Sequence, residues 1–499
     1  MTNRWAGDVL DRKSTGDFLY RVIQQRFEAY HSKPGDGALC VALDAEWGAG
    51  KTFFVRHWSQ DIEACQHPVV RFDAWANDLA DDPLLAFMAE LQLALEPLLK
   101  KLPVAGKVRS SAAKLAKRIW KQAPKAVLPV LGAVAAGGVK VMTGVDPSQL
   151  FANVETVQAA EGMAADALKK FFEIATESHT EKQTAIREMK KAIEELLSYL
   201  NEQREATLPM FVFIDELDRC RPDYAVRLLE GVKHLFDAQG ICFVFSTNLS
   251  QLSASTKAIY GPEFDGARYL RRFFSAVYLL PDPDNRAFAA KLAITTSLTT
   301  NRLEVVSSIV TAQPGVAQKK TPAEIVSEEL ALIAQLFALD LRSQEHLFRF
   351  VEEAAAGISD GEVIYPLYLF FLAAAYQHDK FNFISASPGS AKLDEALSEL
   401  PVVNIRVSTF NNQGRSDSRQ VSVSEIIKVF DQIASTPLGE LGKIQESPQV
   451  ERYPKSLINV AMRFIGRHPY MRTDFLPLQS YYSLVRNAGK ISERASGAV

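Results

Sequence analysis

Cysteine is scarce in this chain, with four in 499 residues (Cys40, Cys65, Cys220 and Cys242). No C-x-x-C pair occurs, so a thiolate zinc site is not expected. Three of the four lie in or beside apolar segments, as reduced, buried thiols of a cytosolic protein do. The eight histidines make no H-E-x-x-H or other metal-ligand spacing. No apolar core follows Met1, so no secretory signal is expected at the start. Internal repeats and long low-complexity tracts are missing too, which argues against a solenoid. Acidic residues are absent from Pro97 to Val145, where ten Lys or Arg stand, although the whole chain carries a net charge of −3. Such local segregation points to phosphates, of lipid or of nucleic acid.

A buried-strand pattern, Ala38 to Leu43, runs into Ala45-Glu46-Trp47-Gly48-Ala49-Gly50-Lys51-Thr52 and then into a helical pattern. A glycine-rich turn between strand and helix is suited to cradling phosphates with backbone N–H groups. Lys51 reaches the β- and γ-phosphate oxygens and the Thr52 hydroxyl ligates Mg²⁺ in such a loop, so Glu46 to Phe53 is the expected nucleotide cradle. The first glycine of the usual pattern is Ala45 here, which an ordinary φ accommodates. A second apolar strand, Pro209 to Ile214, closes on Asp215 and Glu216. An acidic pair at that position places Asp215 on the metal and Glu216 on the attacking water. The competing reading is a strand followed by a solvated acidic turn.

Five short apolar strands joined by long, mostly helical connections indicate an α/β fold with a parallel sheet. The strand patterns lie near residues 38–43, 69–75, 209–214, 241–248 and 276–280. Residues 1–99 and 206–283 form the two halves of this core, and 100–205 reads as an insertion. The insertion opens with the basic stretch. It ends with a helical pattern whose stripe is Ile186, Met189, Ile193, Leu196, Leu197 and Leu200. Residues 284–380 read as a helical, lid-like domain and 381–499 as a mixed, mainly helical region, with polar stretches near 311–321, 385–391 and 411–418.

Several segments resemble the KAP family of P-loop NTPases. Glu46-Trp-Gly-Ala-Gly-Lys-Thr52 is similar to its E-W-G-x-G-K-T, and Phe72-Asp-Ala-Trp75 to its F-N-A-W. Phe213-Ile-Asp-Glu-Leu-Asp-Arg-Cys220 is similar to its I-D-D-L-D-R-C, and Tyr269-Leu-Arg-Arg-Phe-Phe274 to the stretch before its last core strand. The resemblance covers roughly residues 8 to 380, with Ala45, Asp73 and Glu216 as departures. It implies a three-layer P-loop NTPase with strand order 5-1-4-3-2, and an insertion after strand two that often carries transmembrane helices. It further implies binding of ATP with Mg²⁺, hydrolysis driving a conformational or oligomeric switch, and bacterial roles at membranes or in phage defence. The alternative is a nucleotide-gated scaffold with little hydrolysis.

The remaining candidates stay open between two readings. Asn248, ending the fourth strand, is a γ-phosphate sensor or a helix cap. Arg271 and Arg272 stand where the family analogy places an arginine finger, and either also fits a solvated helix face. Arg342, at the start of a distal helix, resembles a nucleotide-sensing lid arginine. Trp75 reads as core packing, and Asp218 with Arg219 as an intramolecular or interfacial ion pair away from substrate. The run Ala126 to Val145 approaches spanning length, yet it is rich in Ala and Gly and holds Pro129. With the basic helical pattern around Leu115 and Ile119 it is open to spanning, to contact with an anionic membrane surface or nucleic acid, or to packing. The expected location is cytoplasmic, with peripheral association with the inner membrane or anchoring in it as the alternatives. The expected partners are nucleotide and a second copy or an effector protein.

Overall fold

A computed structural model of the chain describes residues 4–31, 38–80, 82–100, 190, 193–233, 238–294, 296, 298, 303–307, 320–378, 387–410, 416–447 and 477–496. Two compact units emerge, Met1–Pro281 and Asp282–Val499.

The first unit is built on a five-stranded sheet of β1 (Leu39–Asp44), β2 (Val69–Asp73), β3 (Met210–Asp215), β4 (Ile241–Thr247) and β5 (Ala276–Leu279). All pairings are parallel and the order is β2-β3-β4-β1-β5, which is the order the family resemblance implied. β1, β3 and β4 are near-continuous apolar runs buried on both faces, whereas the edge strands β2 and β5 expose alternate residues. Alternate side chains serve alternate faces. Phe211, Phe213, Cys242 and Val244 enter one cluster with Trp5, Phe54 and Trp58. Val212, Ile214, Phe243 and Phe245 enter the other with Phe87, Leu91, Leu196 and Leu228.

The helices of this unit are α1 (Arg12–His31), α2 (Lys51–Ala64), α3 (Pro83–Lys100), α4 (residues 193–202), α5 (Pro222–Lys233), α6 (Leu249–Tyr260) and α7 (Gly266–Leu270). In α2, Phe54, Trp58 and Ile62 recur every four residues and are buried, which fixes the loop before it against the sheet. Truncating a buried phenylalanine such as Phe54 to alanine costs about 3–5 kcal/mol. On α4, Ile193, Leu196, Leu197 and Leu200 are buried as their spacing predicts. Ile186, Met189 and the 101–189 part of the insertion, including the Ala126–Val145 run, lie outside the described residues. Among the described residues no helix is long and apolar enough to cross a membrane.

The register brings four strand ends together. Asp44 of β1 lies beside Thr247 of β4, Asp215 of β3 beside Ser246, and Asp73 of β2 beside Asp215. Acidic side chains therefore collect at the carboxyl edge of the sheet, the edge where open α/β sheets bind ligands.

The second unit is mostly helical, with α8 (Asn285–Ile294), α9 (Pro322–Leu336), α10 (Leu341–Ala355), α11 (Pro366–Gln377), α12 (Ala391–Ser398), α13 (Val423–Ser435), α14 (Leu438–Glu446) and α15 (Tyr481–Ser496). Its core centres on α11, buried all round from Pro366 to Ala375. β6 (Glu304–Val305) and β7 (Val363–Ile364) make a short parallel pair. β8 (Asn404–Phe410) and β9 (Ser416–Ser422) pair antiparallel, so residues 416–418 of the polar stretch near 411–418 belong to a strand.

Candidate active site

Two glycines shape the turn between β1 and α2. Gly48 has φ 76° and Gly50 φ 86°, both in the left-handed region that a side chain strains. Ala45 is not among the residues with positive φ, so its methyl group is tolerated where the family has glycine. Gly50 caps α2 with no side-chain hydrogen bond, so no side chain engages the N–H groups of the first turn through that residue. They present the positive end of the helix at the loop.

Lys51 Nζ donates to the Ala45 carbonyl and, at 3.0 Å, to that of Glu46. Burial lowers the Lys51 pKa, opposed by the nearby Asp218, Asp215 and Asp44 carboxylates. From below the loop, the buried Arg12 donates to the Ala49 carbonyl at 3.0 Å and to the Pro281 carbonyl at 2.8 Å. Glu46 Oε2 accepts from Asn248 Nδ2 at 2.7 Å. Asn248 also caps α6, its Oδ1 accepting from Ser250 and Gln251 N–H at 3.0 and 3.2 Å. The cap is thus present, and the same side chain reaches the loop. Phe53 turns its ring away, packing 4.3 Å from His57 and 6.3 Å from Trp5.

On the β3 side, the Asp215 carboxylate accepts from the Glu216 N–H at 3.0 Å. Glu216 itself has φ 59° and ψ 26°, a left-handed conformation costing a non-glycine residue about 1–2 kcal/mol. Its Oε1 accepts from Thr52 Oγ1 at 3.3 Å and from Arg219 Nη1 at 2.8 Å. Burial raises the pKa of both carboxylates. For Glu216 the Arg219 guanidinium pulls downward, while Asp215 and Asp73 add to the rise. The structure thus brings Lys51, Thr52, Asp215, Glu216 and Asn248 to one edge.

Two expectations are corrected here. Asp218 and Arg219 do not serve as one ion pair. Asp218 is buried and accepts from Thr247 Oγ1 at 3.1 Å and from Trp47 Nε1, because the 3₁₀ turn Leu217–Arg219 points the two side chains at different neighbours. Trp75 is not core: it is 53% exposed, because β2 ends at Asp73 and the following turn lifts it off the sheet. The Arg219 guanidinium lies 5.6 Å from its ring centroid.

The arginine candidates fall elsewhere. Arg271 and Arg272 follow α7, are exposed, and have no side-chain partner among the described residues. β5 starts beside Val41, in mid-β1, so both arginines precede the strand, away from its loop-side end. Arg342 is exposed at the second position of α10, whose N-cap is Asp340, in the second unit. Sequence reasoning missed the role of Arg12 and did not find Asp218 as the partner of Trp47 or Glu216 as the partner of Arg219. The signal for Trp47 and Arg219 was their place inside the two phosphate-site motifs, and for Arg12 there was none.

Among the described residues no cluster of three or more His, Cys, Asp or Glu could hold a metal unaided. The donor set fits Mg²⁺ all the same. Thr52 Oγ1 and the Asp215 carboxylate are hard oxygens, and Mg²⁺ is ordinarily held by one or two protein oxygens together with substrate phosphates.

The model of the KAP family P-loop domain matches residues 22–322, more than half of the chain. A comparison with curated proteins finds no match. Among solved structures, PCH-2 of C. elegans is similar at 11% identity and a TM-score of 0.31, over 74% of this chain and 69% of that one. The ORC2 protein of Aeropyrum pernix, solved in ADPNP–ADP complexes, is similar at 11% identity and a TM-score of 0.29, over 97% and 95%. Likenesses at that level support no statement about activity.

Proposed function

The chain belongs to the KAP family of P-loop NTPases, and from that premise we propose that it binds ATP with Mg²⁺ and hydrolyses it. The observation that carries the reading is the meeting of Thr52, Asp215 and Glu216 at the strand ends, with Glu216 Oε1 3.3 Å from Thr52 Oγ1. Residues 46–53 take the phosphates, the helix N-terminus and Lys51 supplying positive charge. Thr52 and Asp215 are the residues that would hold the metal, which when bound neutralises charge developing on the phosphates. Glu216 orients a water and accepts its proton. Asn248 holds Glu46 and thereby the loop's second residue. Arg271, Arg272 and Arg342 are candidates to complete the site, the first two from a second copy.

The output we propose is a conformational or oligomeric switch. A role in phage defence or at a membrane is supported by family resemblance alone, and residues 101–145, the greater part of the segment assigned to a membrane or nucleic-acid contact, lie outside the described residues.

The test is ATP turnover over a range of protein concentrations for the wild type and Glu216→Gln. Turnover lost in the variant with ATP binding retained supports the assignment, and a steep concentration dependence supports the oligomeric switch. Tight ATP binding without turnover at any concentration would replace it with a nucleotide-gated scaffold.

A further inference from the structure

Glu216 is a flexible side chain asked to hold one direction. The guanidinium beside it is itself held, and from a different strand. Arg219 reaches back across the 3₁₀ turn to Glu216 Oε1 at 2.8 Å, with only 13% of the Glu216 side chain and 27% of the Arg219 side chain exposed. The left-handed Glu216 backbone makes this possible, since it closes the turn on the Arg219 N–H to Glu216 carbonyl bond of 3.1 Å. The other side of the guanidinium lies near the ring of Trp75, on the turn after β2. Asp218, next in chain, is pinned to Thr247 after β4 and to Trp47 in the phosphate loop. Trp75 thus contacts Arg219 directly, while Thr247 and Trp47 hold its chain neighbour Asp218.

We propose that Arg219, braced by the face of Trp75, is a positioning residue that aims the Glu216 carboxylate toward Thr52 and the reacting phosphate. The inference rests on the ATPase reading above. The reason for arginine at this place is its planar fork, which can bond a carboxylate along one edge while its face lies on an aromatic ring. A lysine keeps the charge and loses both fixed directions. Without Arg219 the carboxylate loses its fixed direction and samples several rotamers, and a displacement near 1 Å lowers a chemical step by roughly 100-fold. Substrate binding through residues 46–53 does not depend on that direction.

The experiment uses the full chain. Steady-state ATP hydrolysis is measured for wild type, Glu216→Gln, Arg219→Gln, Arg219→Lys and Trp75→Ala, with thermal melts of each. Arg219→Gln is expected to lower kcat by about 10- to 100-fold and to leave KM within about twofold of wild type. Arg219→Lys recovers part of the loss, and Trp75→Ala lowers kcat roughly threefold. Should Arg219→Gln not fold, the lysine and Trp75 variants carry the same test. Wild-type kcat in the Arg219 variants overturns the inference and leaves the ATPase assignment standing. So does an equal loss of melting temperature, kcat and binding, which would mark a merely structural role. A wild type without turnover, or a Glu216→Gln variant with full turnover, removes the parent reading and this one with it.

Discussion

Both units bury carboxylates, and they treat them in opposite ways. In the second unit Asp431 is 4% exposed and Glu329 fully buried. Asp431 accepts from the hydroxyls of Tyr368 and Tyr482 at 2.9 and 2.8 Å and from the Gly389 N–H at 2.7 Å. Glu329 accepts from the Leu367 N–H at 2.7 Å, at the start of α11. Backbone groups and short phenols in a packed core are fixed donors, so these acids tie helices together. In the first unit Asp215 and Glu216 sit at an open strand edge. Glu216 takes its hydrogen bonds from Thr52 and Arg219, side chains that can exchange partners. Backbone N–H groups thus help to anchor Asp431 and Glu329, whereas Glu216 depends on side-chain donors.

Lys51→Ala gives the largest effect expected on this distinction. It removes the positive charge from the loop and should lower ATP turnover by about two to three orders of magnitude. The melting temperature should hardly change, because Lys51 bonds only loop carbonyls. Turnover and a thermal melt on one preparation check both halves. A large loss of melting temperature would mean that the loop lysine is architecture too.

Asp431→Ala probes the other side of the comparison. It leaves two phenols and one N–H without their acceptor in a packed core, which should destabilise the chain by about 3–5 kcal/mol in urea unfolding. ATP binding should be retained under native conditions. Asp431→Asn is milder and exposes a pH dependence. Burial holds the Asp431 pKa above its ordinary value of 3.8, with bonds from Tyr482, Gly389 and Tyr368 opposing and Asp394 adding to the rise. A raised folded pKa means stability that is fully present below the ordinary value and lost as pH rises through the folded one. Wild type should therefore gain stability relative to Asp431→Asn as pH falls from neutrality toward 4. A gap that widens against wild type on acidification would reverse the assignment.

The first unit was legible in the sequence because its three central strands are buried on both faces and its loops carry motifs. Leu39–Asp44 and Met210–Asp215 read as strands from their unbroken apolar runs, and the sheet order followed from the family the motifs resemble. Trp75 was misread because an aromatic three residues after Phe72 looks like a continuing strand, and only the end of β2 at Asp73 shows otherwise. The Arg219 to Glu216 pair depends on a left-handed φ at a non-glycine residue, which no residue pattern announces. The buried acids of the second unit were illegible for a similar reason. Asp431 and Tyr368 lie 63 residues apart, and nothing local marks them as neighbours. The β8–β9 pairing was hidden by the polar residues of β9 itself.

Asn248 is where the comparison is sharpest, because one side chain does both kinds of work. Its Oδ1 caps α6, a local structural duty. Its Nδ2 holds Glu46 at 2.7 Å, across to the phosphate loop. Serine is about as good an N-cap as asparagine and cannot donate over that distance, so Asn248→Ser separates the two duties. The cap survives, so any stability that is lost comes from the bond to Glu46. A hydrogen bond to a charged group contributes about 1.5–3 kcal/mol, and the freed Glu46 loosens the loop, so turnover should fall roughly tenfold. Loss of stability with turnover intact would make the Asn248–Glu46 bond a structural tie alone. Turnover lost with the melt unchanged would place it with Glu216 and Lys51 on the exchangeable side of the molecule.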